Sequence, residues 1–332
     1  MKVNQKNNTQ SKILELLFRA KGKTLSGVRI SEKTGISRVG VWKHIKAMKL
    51  SGIPIESHFN GYVLTTPEDL LAPFCFEPDL RKTLFYYPEV KSTMDTAKTL
   101  ARQGAAHHSC CVAEIQTRGR GRLNREWVSA KGGLWFTLIL KPDLPPPMAY
   151  IYNFAASLSL SRTINRLSGL NTTVKWPNDL LLEGKKLTGI LSEMETQADM
   201  IQFLVIGMGI NVNNDVSKEN FEATSLKQAM GRPVSRRLIL SQFLIDFKAL
   251  TQNVDVPKIM ALWRERTSTI GTRVRVETLN QTLEGKAVGV DDQGGLTIET
   301  QDKGSLDEKS KGKKRETIIY GDCFHTAKDT TI

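Results

Sequence analysis

The chain has 332 residues, 40% of them hydrophobic and 24% charged, with a formal net charge of +13. This length suggests two or three domains, and the composition excludes a wholly disordered or collagen-like chain. The longest apolar runs, Leu134 to Leu140 and Phe203 to Ile210, are much shorter than the roughly 18 to 20 residues that cross a bilayer. We therefore expect no membrane span. Because the first residues lack an apolar signal segment, we expect a cytoplasmic protein.

Positive charge is concentrated near the N-terminus. Residues 1-66 contain twelve Lys or Arg and three Asp or Glu, a net +9, which leaves +4 for the remaining 266 residues. Such a basic module is typical of proteins that bind a polyanion, because each neutralised phosphate releases condensed counterions. A solvated lysine-rich surface would have the same composition.

The same segment has the pattern of a winged helix-turn-helix. Apolar spacing predicts helices from Ser11 to Ala20, from Ser26 to Gly35 and from Arg38 to Leu50, and Asn60-Gly61 predicts a hairpin wing. We interpret this unit as DNA-binding, with a winged helix used only for protein contact as the alternative. The candidate DNA contacts are Ser37, Arg38, Lys43, Lys46, His58 and Asn60.

Domain boundaries follow from composition. Residues 1-66 form the winged helix-turn-helix, the proline-containing segment 67-79 a linker or docking segment, 80-267 a central domain and 268-332 a C-terminal domain. Short apolar runs alternating with helical stretches make the central domain α+β. The expected strands are Phe85-Tyr87, Cys111-Gln116, Leu134-Leu140, Thr173-Trp176, Leu187-Glu193 and Phe203-Ile210, and the expected helices are Thr93-Arg102, Met148-Leu167 and Arg236-Gln252.

The loop from Gln116 to Arg122 contains alternating arginines and glycines directly after a strand. Glycines at 119 and 121 allow close backbone approach to a ligand, and arginines offer bidentate donors for phosphate or carboxylate oxygens. The pattern favours a phosphate clamp but matches neither the phosphate loop nor the dinucleotide fingerprint. A solvated basic turn is an equally weighted interpretation of this run alone.

Two further stretches place polar groups beside strands. Lys175-Trp-Pro-Asn-Asp179 is a turn, and Lys186 begins an apolar strand where its ammonium could stabilise transition-state charge. The alternative to a functional role is that Asp179 is an Asx-turn residue and that Lys185 is an exposed lysine at the tip of a hairpin. Gly207-Met-Gly-Ile-Asn211 ends a buried strand with a polar side chain.

The C-terminal part and the cysteines complete the pattern. Short strands separated by glycine turns predict a small SH3-like β-barrel, and residues 302-315, rich in Lys, Gly, Ser and acids, predict a solvated, mobile hairpin extension.

The cysteines lack metal-binding or redox spacing, so we expect no metal site and four reduced packing residues. They are Cys75, Cys110, Cys111 and Cys323.

Taken together, the chain resembles the bacterial bifunctional biotin–protein ligases that double as biotin operon repressors. The resemblance spans nearly the whole chain, and the combination is specific although its parts are not. Its motifs are the winged helix, Lys91-Ser-Thr93, Gly119-Arg-Gly-Arg122, Lys175-Trp-Pro-Asn-Asp179, Lys186-Leu-Thr-Gly189, Gly207-Met-Gly-Ile-Asn211 and the β-rich C-terminal part.

The resemblance implies a class II synthetase-like central domain and two-step chemistry. Biotin and ATP with Mg²⁺ would form biotinyl-adenylate, and a lysine of a biotin carboxyl carrier protein of acetyl-CoA carboxylase would then accept biotin. Adenylate binding would favour a homodimer on operator DNA. By analogy the biotin-binding residues are Ser92, Thr93, Met94, Gln116, Arg120, Gly121, Arg122 and Lys186. The ATP or adenylate contacts are Arg122, Lys175, Asn178, Asp179 and Asn211, and the catalytic residues are Arg120, Arg122 and Lys186.

The sequence departs from the family pattern at four positions. Met94 stands where Asn is usual, Leu123-Asn124 replaces a further Arg-Gly, and Phe221 stands in a loop that usually carries a tryptophan. These differences bear on ligand affinity and loop ordering. The alternatives to a bifunctional protein are a ligand-sensing regulator without ligase activity, a ligase for a related acid such as lipoate, and a ligase whose winged helix no longer regulates.

Overall fold

A computed structural model describes residues 9–50, 53–65, 69–216, 222–301 and 313–326, so Phe221 and residues 302–312 of the expected extension lie outside the described residues. The helices are α1 Thr9–Arg19, α2 Gly27–Thr34, α3 Arg38–Leu50, α4 Pro78–Arg81, α5 Thr93–Arg102, α6 Tyr150–Ser168, α7 Leu226–Met230, α8 Arg236–Thr251 and α9 Val256–Arg264. Within these ranges no helix combines the length and apolarity needed to cross a bilayer.

The strands form one small hairpin and two larger sheets. They are β1 Ile55–His58, β2 Gly61–Leu64, β3 Leu84–Val90, β4 Ser109–Gln116, β5 Leu134–Leu140, β6 Thr172–Lys175, β7 Asp179–Leu182, β8 Lys185–Gln197, β9 Met200–Ile210, β10 Arg273–Glu277, β11 Thr282–Val290, β12 Leu296–Gln301, β13 Lys313–Ile318 and β14 Asp322–His325.

The three predicted N-terminal helices are confirmed, and their ends follow from capping. Ser26 accepts a hydrogen bond from Arg29 N at 3.2 Å at the start of α2, and Gly35 adopts φ 72° after its end. Ser37 accepts one from Gly40 N at 3.1 Å at the start of α3. These local bonds satisfy terminal N–H groups, so they define two short helices and the turn between them.

The wing is an antiparallel hairpin of β1 and β2. Leu25 extends it, because Leu25 N donates to Tyr62 O at 2.9 Å and Tyr62 N to Leu25 O at 3.0 Å. Gly61 has φ 149°, and a Cβ there would lie 2.3 Å from Leu25 O. A side chain at position 61 would therefore separate the wing from the segment before α2.

The segment after the wing packs on α1 and on the central domain instead of running free. Leu70, Leu71 and Ala72 are buried, and the rings of Phe18 in α1 and Phe74 lie 5.8 Å apart. Of the two interpretations of the sequence, linker or docking segment, packing favours the second for the described part, residues 69–79.

Arg236 in α8 anchors this segment. Its side chain is only 6% exposed and forms ion pairs with Asp69 at 2.9 Å and with Glu114 at 2.6 Å. Its guanidinium also donates to Gly133 O at 3.2 Å. Burial is the first cause of a raised pKa for Asp69, opposed by the charge of Arg236.

We expect Arg236→Met to lower the free energy of unfolding by about 3 to 5 kcal/mol, because it leaves the carboxylates of Asp69 and Glu114 without their buried cation. Denaturant unfolding followed by circular dichroism measures this. Arg232→Met, at an exposed position close by, should change stability by less than about 0.5 kcal/mol. Equal effects of the two substitutions would contradict this account of Arg236.

The central sheet has seven strands in the order β3-β4-β5-β9-β8-β7-β6, with only β3 and β4 parallel. Cys110 and Cys111 in β4 belong to different apolar clusters, because neighbouring strand residues face opposite sides of a sheet. Helices α6 and α8 pack together on one side and α5 covers the other. All four cysteines are free and buried, as predicted, and burial raises the pKa of Cys75 to about 12.

The C-terminal domain is a five-stranded antiparallel sheet in the order β13-β12-β11-β10-β14. It is joined to the central sheet around Trp176, whose backbone N donates to Thr269 Oγ1 at 3.0 Å and whose indole Nε1 donates to Gly294 O at 2.9 Å. These bonds hold the segment before β10 and the turn between β11 and β12 beside the turn that follows β6.

Candidate active site

A cavity of about 840 Å³ opens between the central sheet and the C-terminal domain. All twelve predicted ligand-site residues line it. They are Ser92, Thr93, Met94, Gln116, Arg120, Gly121, Arg122, Lys175, Asn178, Asp179, Lys186 and Asn211. Residues distant in sequence thus share one volume of the size usual for small-molecule sites.

One part of the cavity wall is a polar network at the start of α5. Gln116 Oε1 accepts hydrogen bonds from Thr93 N at 2.7 Å and Thr93 Oγ1 at 2.9 Å, and its Nε2 donates to Ser129 Oγ at 2.7 Å. Ser92 caps the helix through Met94 N at 3.2 Å. The network fixes the orientation of the Gln116 amide and presents buried hydroxyls to a polar ligand group.

Met94 supplies apolar surface next to this network. It is buried, and a Cβ on Gly207 would lie 2.5 Å from its sulfur atom. The thioether therefore occupies the space above Gly207 in β9, so this position makes an apolar contact and adds no hydrogen-bonding group.

The two arginines of the loop that line the cavity, Arg120 and Arg122, face different partners. Arg120 Nη2 lies 2.8 Å from Asp95 Oδ1 and 3.3 Å from Glu193 Oε1. Arg122 Nη1 donates to Asn178 Oδ1 at 3.3 Å. Both guanidinium groups remain partly exposed to the cavity, so each can turn to a ligand carboxylate or phosphate.

Trp127 was not among the predicted site residues, although it lines the cavity. Added Cβ atoms on Gly189 and Gly209 would lie 2.8 Å and 2.3 Å from its indole ring, which thus lies flat on β8 and β9. A Cβ on Gly119 would lie 2.2 Å from Trp127 O. The close approach at Gly119 is therefore to the protein's own backbone, whereas the sequence predicts a close approach to a ligand at this glycine.

Lys186 and Asp179 form an ion pair inside the cavity. Lys186 Nζ lies 2.8 Å from Asp179 Oδ2 and 5.5 Å from the centroid of the Trp127 ring. Asp179 is paired in this way and is not only a turn residue. Asn178 is buried beside it and donates from Nδ2 to Ile190 O.

Asn211 closes the far end of β9. It is buried, and its Oδ1 accepts a hydrogen bond from Asn214 Nδ2 at 3.0 Å. Asn214 also lines the cavity but was not among the predicted site residues. Its position three residues after the Gly207 to Asn211 motif is the only sequence signal for it, and that signal is weak.

The C-terminal domain contributes cavity residues that sequence reasoning missed, among them Asp322 and His325. Asp322 Oδ2 lies 2.8 Å from Arg125 Nη2, and its Oδ1 lies 3.8 Å from Arg122 Nη1. Burial, followed by the charge of Lys175, lowers the pKa of His325 to about 4, so its imidazole is neutral at pH 7. The local sequence around these residues does not indicate that they lie near the arginine loop. The packing of the C-terminal domain on the central domain brings them there.

The candidate DNA contacts lie apart from this cavity, on the outer face of α3 and on the wing. Each of the six is exposed, namely Ser37, Arg38, Lys43, Lys46, His58 and Asn60. Lys46 Nζ lies 5.2 Å from the centroid of the exposed Trp42 ring. Helix α3 contains no acidic residue, so its outer face is basic.

Three family models match the chain. Residues 86–211 match the biotin/lipoate A/B protein ligase family, residues 9–63 match an HTH domain, and residues 269–326 match the biotin protein ligase C-terminal domain. The order of the matches follows the order of the three structural units.

Similar proteins cover almost the whole chain. The bifunctional ligase/repressor BirA of Bacillus subtilis is 37% identical over 308 residues, which are 87% of this chain and 94% of that protein. BirA of Escherichia coli K12 is 27% identical over 303 residues, covering 88% and 93%. The solved biotin protein ligase from Aquifex aeolicus in complex with biotin and ATP has a TM-score of 0.60 and 27% identity, covering 74% of this chain and 100% of that one. The chain belongs to the biotin protein ligase family, in its form with an N-terminal helix-turn-helix domain.

Proposed function

We propose that the protein is an ATP-dependent biotin–protein ligase that also represses transcription of biotin biosynthesis genes. The observation that carries the ligase is the meeting of Arg122 and Lys186 with the Thr93–Gln116 network in one cavity. One wall offers cations for carboxylate and phosphate oxygens, and the other offers fixed donors and acceptors for a polar ring.

In the first step a carboxylate oxygen of biotin attacks the α-phosphorus of ATP, a P–O bond forms, and pyrophosphate leaves. Ser92, Thr93 and Gln116 orient the ureido ring, where buried polar groups need partners. Arg120 and Arg122 turn from their carboxylate and amide partners to the biotin carboxylate and the phosphate. Lys186 neutralises the charge that develops between them.

In the second step the neutral amine of an acceptor lysine attacks the biotinyl carbonyl of the adenylate. A C–N bond forms, AMP leaves with the electron pair of the broken C–O bond, and the nitrogen loses its proton. Asp179, which forms the ion pair with Lys186, can bind the ammonium group of the entering acceptor lysine or accept its proton. The acceptor is a biotin carboxyl carrier protein of acetyl-CoA carboxylase.

Mg²⁺ is proposed as an ion that enters with ATP. The described part of the chain contains no group of three His, Cys, Asp or Glu side chains arranged to hold a metal. Mg²⁺ commonly binds through substrate phosphates with one or two carboxylates, and Asp179 is a carboxylate of this cavity. The ion would reduce repulsion between the phosphates and the biotin carboxylate.

The test of the ligase is an assay with purified protein, ATP, Mg²⁺ and labelled biotin, with and without a biotin carrier domain. We expect pyrophosphate release without the carrier and label transfer only with it. Lipoate in place of biotin should compete poorly, because the ureido ring is the group that the polar network recognises. Folded protein that binds biotin but performs neither step would instead be a ligand-sensing regulator.

The repressor function rests on the basic outer face of α3 together with the wing. The helix would lie in the major groove while the wing contacts the adjacent backbone. Biotinyl-adenylate would act as corepressor by favouring a homodimer that spans two half-sites, in the cytoplasm where operator DNA, ATP and carrier protein meet. The functional units would be residues 1-66, 80-267 and 268-332, joined by 67-79.

Lys43→Ala and Lys46→Ala should each weaken operator binding and reduce the salt slope by about 1, because each removes one phosphate neutralisation. Fluorescence anisotropy with the upstream region of its own gene, over a series of salt concentrations, measures both. Lys12→Ala, on the exposed side of α1, should leave the slope unchanged. Unaltered binding by both α3 variants would favour a winged helix that has lost its regulatory role.

A further inference from the structure

The outer face of α3 contains two exposed apolar side chains among its lysines. Val39 is 63% exposed and Trp42 is 51% exposed. Val39 lies on the side of the helix opposite the buried residues, which are Val41, Ile45 and Met48. Trp42 lies next to Val39 one turn further along, because residues three apart are neighbours on a helix surface. Val39 and Trp42 form the apolar pair of α3.

Positive charge surrounds the apolar pair. Lys43 is one turn after Val39, and Lys46 is one turn after Trp42. Lys46 Nζ lies 5.2 Å from the centroid of the Trp42 ring, and α3 contains no acidic residue. An apolar protein surface placed here would have to bury these ammonium groups without partners, whereas the phosphates of a nucleic acid pair with them directly. The charge around the pair therefore favours DNA as the molecule that covers it.

The position of the pair in the helix indicates which part of the DNA it meets. Val39 and Trp42 belong to the N-terminal half of α3, the second helix of the helix-turn-helix. The N-terminal residues of this helix are the ones that contact base edges in the major groove. Most groups presented there are hydrogen-bond donors and acceptors, and the C5-methyl of thymine is the apolar group that an apolar side chain contacts.

We propose that Val39 and Trp42 give the repressor its sequence preference by contacting thymine methyl groups in the major groove. This inference rests on the proposed repressor function. The neighbouring lysines would bind the phosphates of any sequence and hold the helix in the groove. The apolar pair would then favour thymine over cytosine at the base positions that it covers. The expected ligand is duplex DNA with thymine in each half-site where α3 enters the groove.

The test replaces thymine by uracil, one position at a time, in an operator duplex delimited by footprinting upstream of the protein's own gene. Uracil lacks only the C5-methyl, so charge and hydrogen-bonding groups stay the same. With biotin, ATP and Mg²⁺ present, full-length wild-type protein should bind about fourfold more weakly for each contacted thymine that is replaced, the equivalent of one buried methyl group. Fluorescence anisotropy measures the Kd.

The variant for this test combines Val39→Ala with Trp42→Ala. It should bind the thymine operator about tenfold or more weakly than wild type, because it loses both apolar contacts. It should bind the thymine and uracil operators equally well. Its salt slope should equal that of wild type, since no positive charge is removed.

Leu50→Ala is the matched control. It shortens a side chain that is 81% exposed at the last residue of α3, away from the N-terminal half of the helix. This variant should lose as much affinity as wild type on uracil substitution. Circular dichroism and adenylate formation should be the same in all these proteins, because the replaced side chains are exposed and do not line the cavity.

Three results would overturn the proposal. Unchanged wild-type affinity at every uracil position would mean that no thymine methyl is contacted. An equal loss in wild type and in the double variant would assign the methyl contacts to other side chains. Weaker self-association of the double variant in sedimentation, with its operator affinity unchanged, would make the pair a contact between two copies of this chain. Wild-type protein that binds the upstream region no better than random duplex would instead reject the repressor function itself, and the methyl contacts with it.

Discussion

Replacing Lys186 with alanine should slow adenylate formation by about 10²- to 10³-fold with the fold intact. The ammonium lies 2.8 Å from Asp179 and faces the cavity, where it is held ready for charge that develops between the biotin carboxylate and the α-phosphate. Removing one such preorganised stabilising group commonly has an effect of this size. Rapid-quench measurement of pyrophosphate release at saturating ATP and biotin gives the rate.

Lys185→Ala is the matched control for Lys186. It removes the same charge one residue earlier in β8, from a side chain that is exposed at the cavity edge. We expect it to change the rate by less than a factor of about three, because exposed charges are strongly screened. If the two variants formed adenylate equally fast, Lys186 would have no special role in the first step.

The second large effect is expected for Arg122→Ala, which should release biotinyl-adenylate about 10 to 100 times faster. Its guanidinium lies between Asn178, at 3.3 Å, and Asp322, at 3.8 Å, and so is kept at the cavity. Hydrogen bonds to charged groups contribute roughly 1.5 to 3 kcal/mol, and 1.4 kcal/mol corresponds to tenfold. Dilution of the preformed complex with labelled adenylate, followed by filtration, measures the release rate.

Arg118→Ala is the control for this variant. Arg118 belongs to the same loop and is exposed, but it does not line the cavity. Its replacement should leave adenylate release unchanged while lowering the net charge by the same amount. An unchanged release rate in Arg122→Ala would show that the adenylate is retained by other groups.

Structural features that depend on residues close together in the chain, such as helix caps and the buried face of a helix, are predictable from the sequence. Ser26 and Gly35 cap α2, and the three- and four-residue spacing of Val41, Ile45 and Met48 marks the buried face of α3. These signals depend on hydrogen bonds and side-chain directions within one or two turns. Local signals therefore suffice to predict the winged helix and most of the central strands.

Strand β7 shows where local signals were insufficient. The sequence predicts a turn that ends at Asp179 and no strand directly after it, yet Asp179–Leu182 pairs with β6 and β8. Four residues are too few to display a period, and pairing partners on both sides decide the conformation. The sequence of the segment after the wing is similarly ambiguous, and in the structure Leu71 is buried and Asp69 forms an ion pair with Arg236.

The sequence by itself determined the types of site residue and their order, because glycines, arginines and lysines beside strand ends occur in fixed, short motifs. Only the tertiary structure decided how they are paired. Asp322 reaches Arg122 and Arg125 from a separate domain, and the Trp127 ring lies over Gly189 and Gly209 of two other strands. Such contacts join residues far apart in the chain, so they depend on how the sheets and domains pack and not on local spacing.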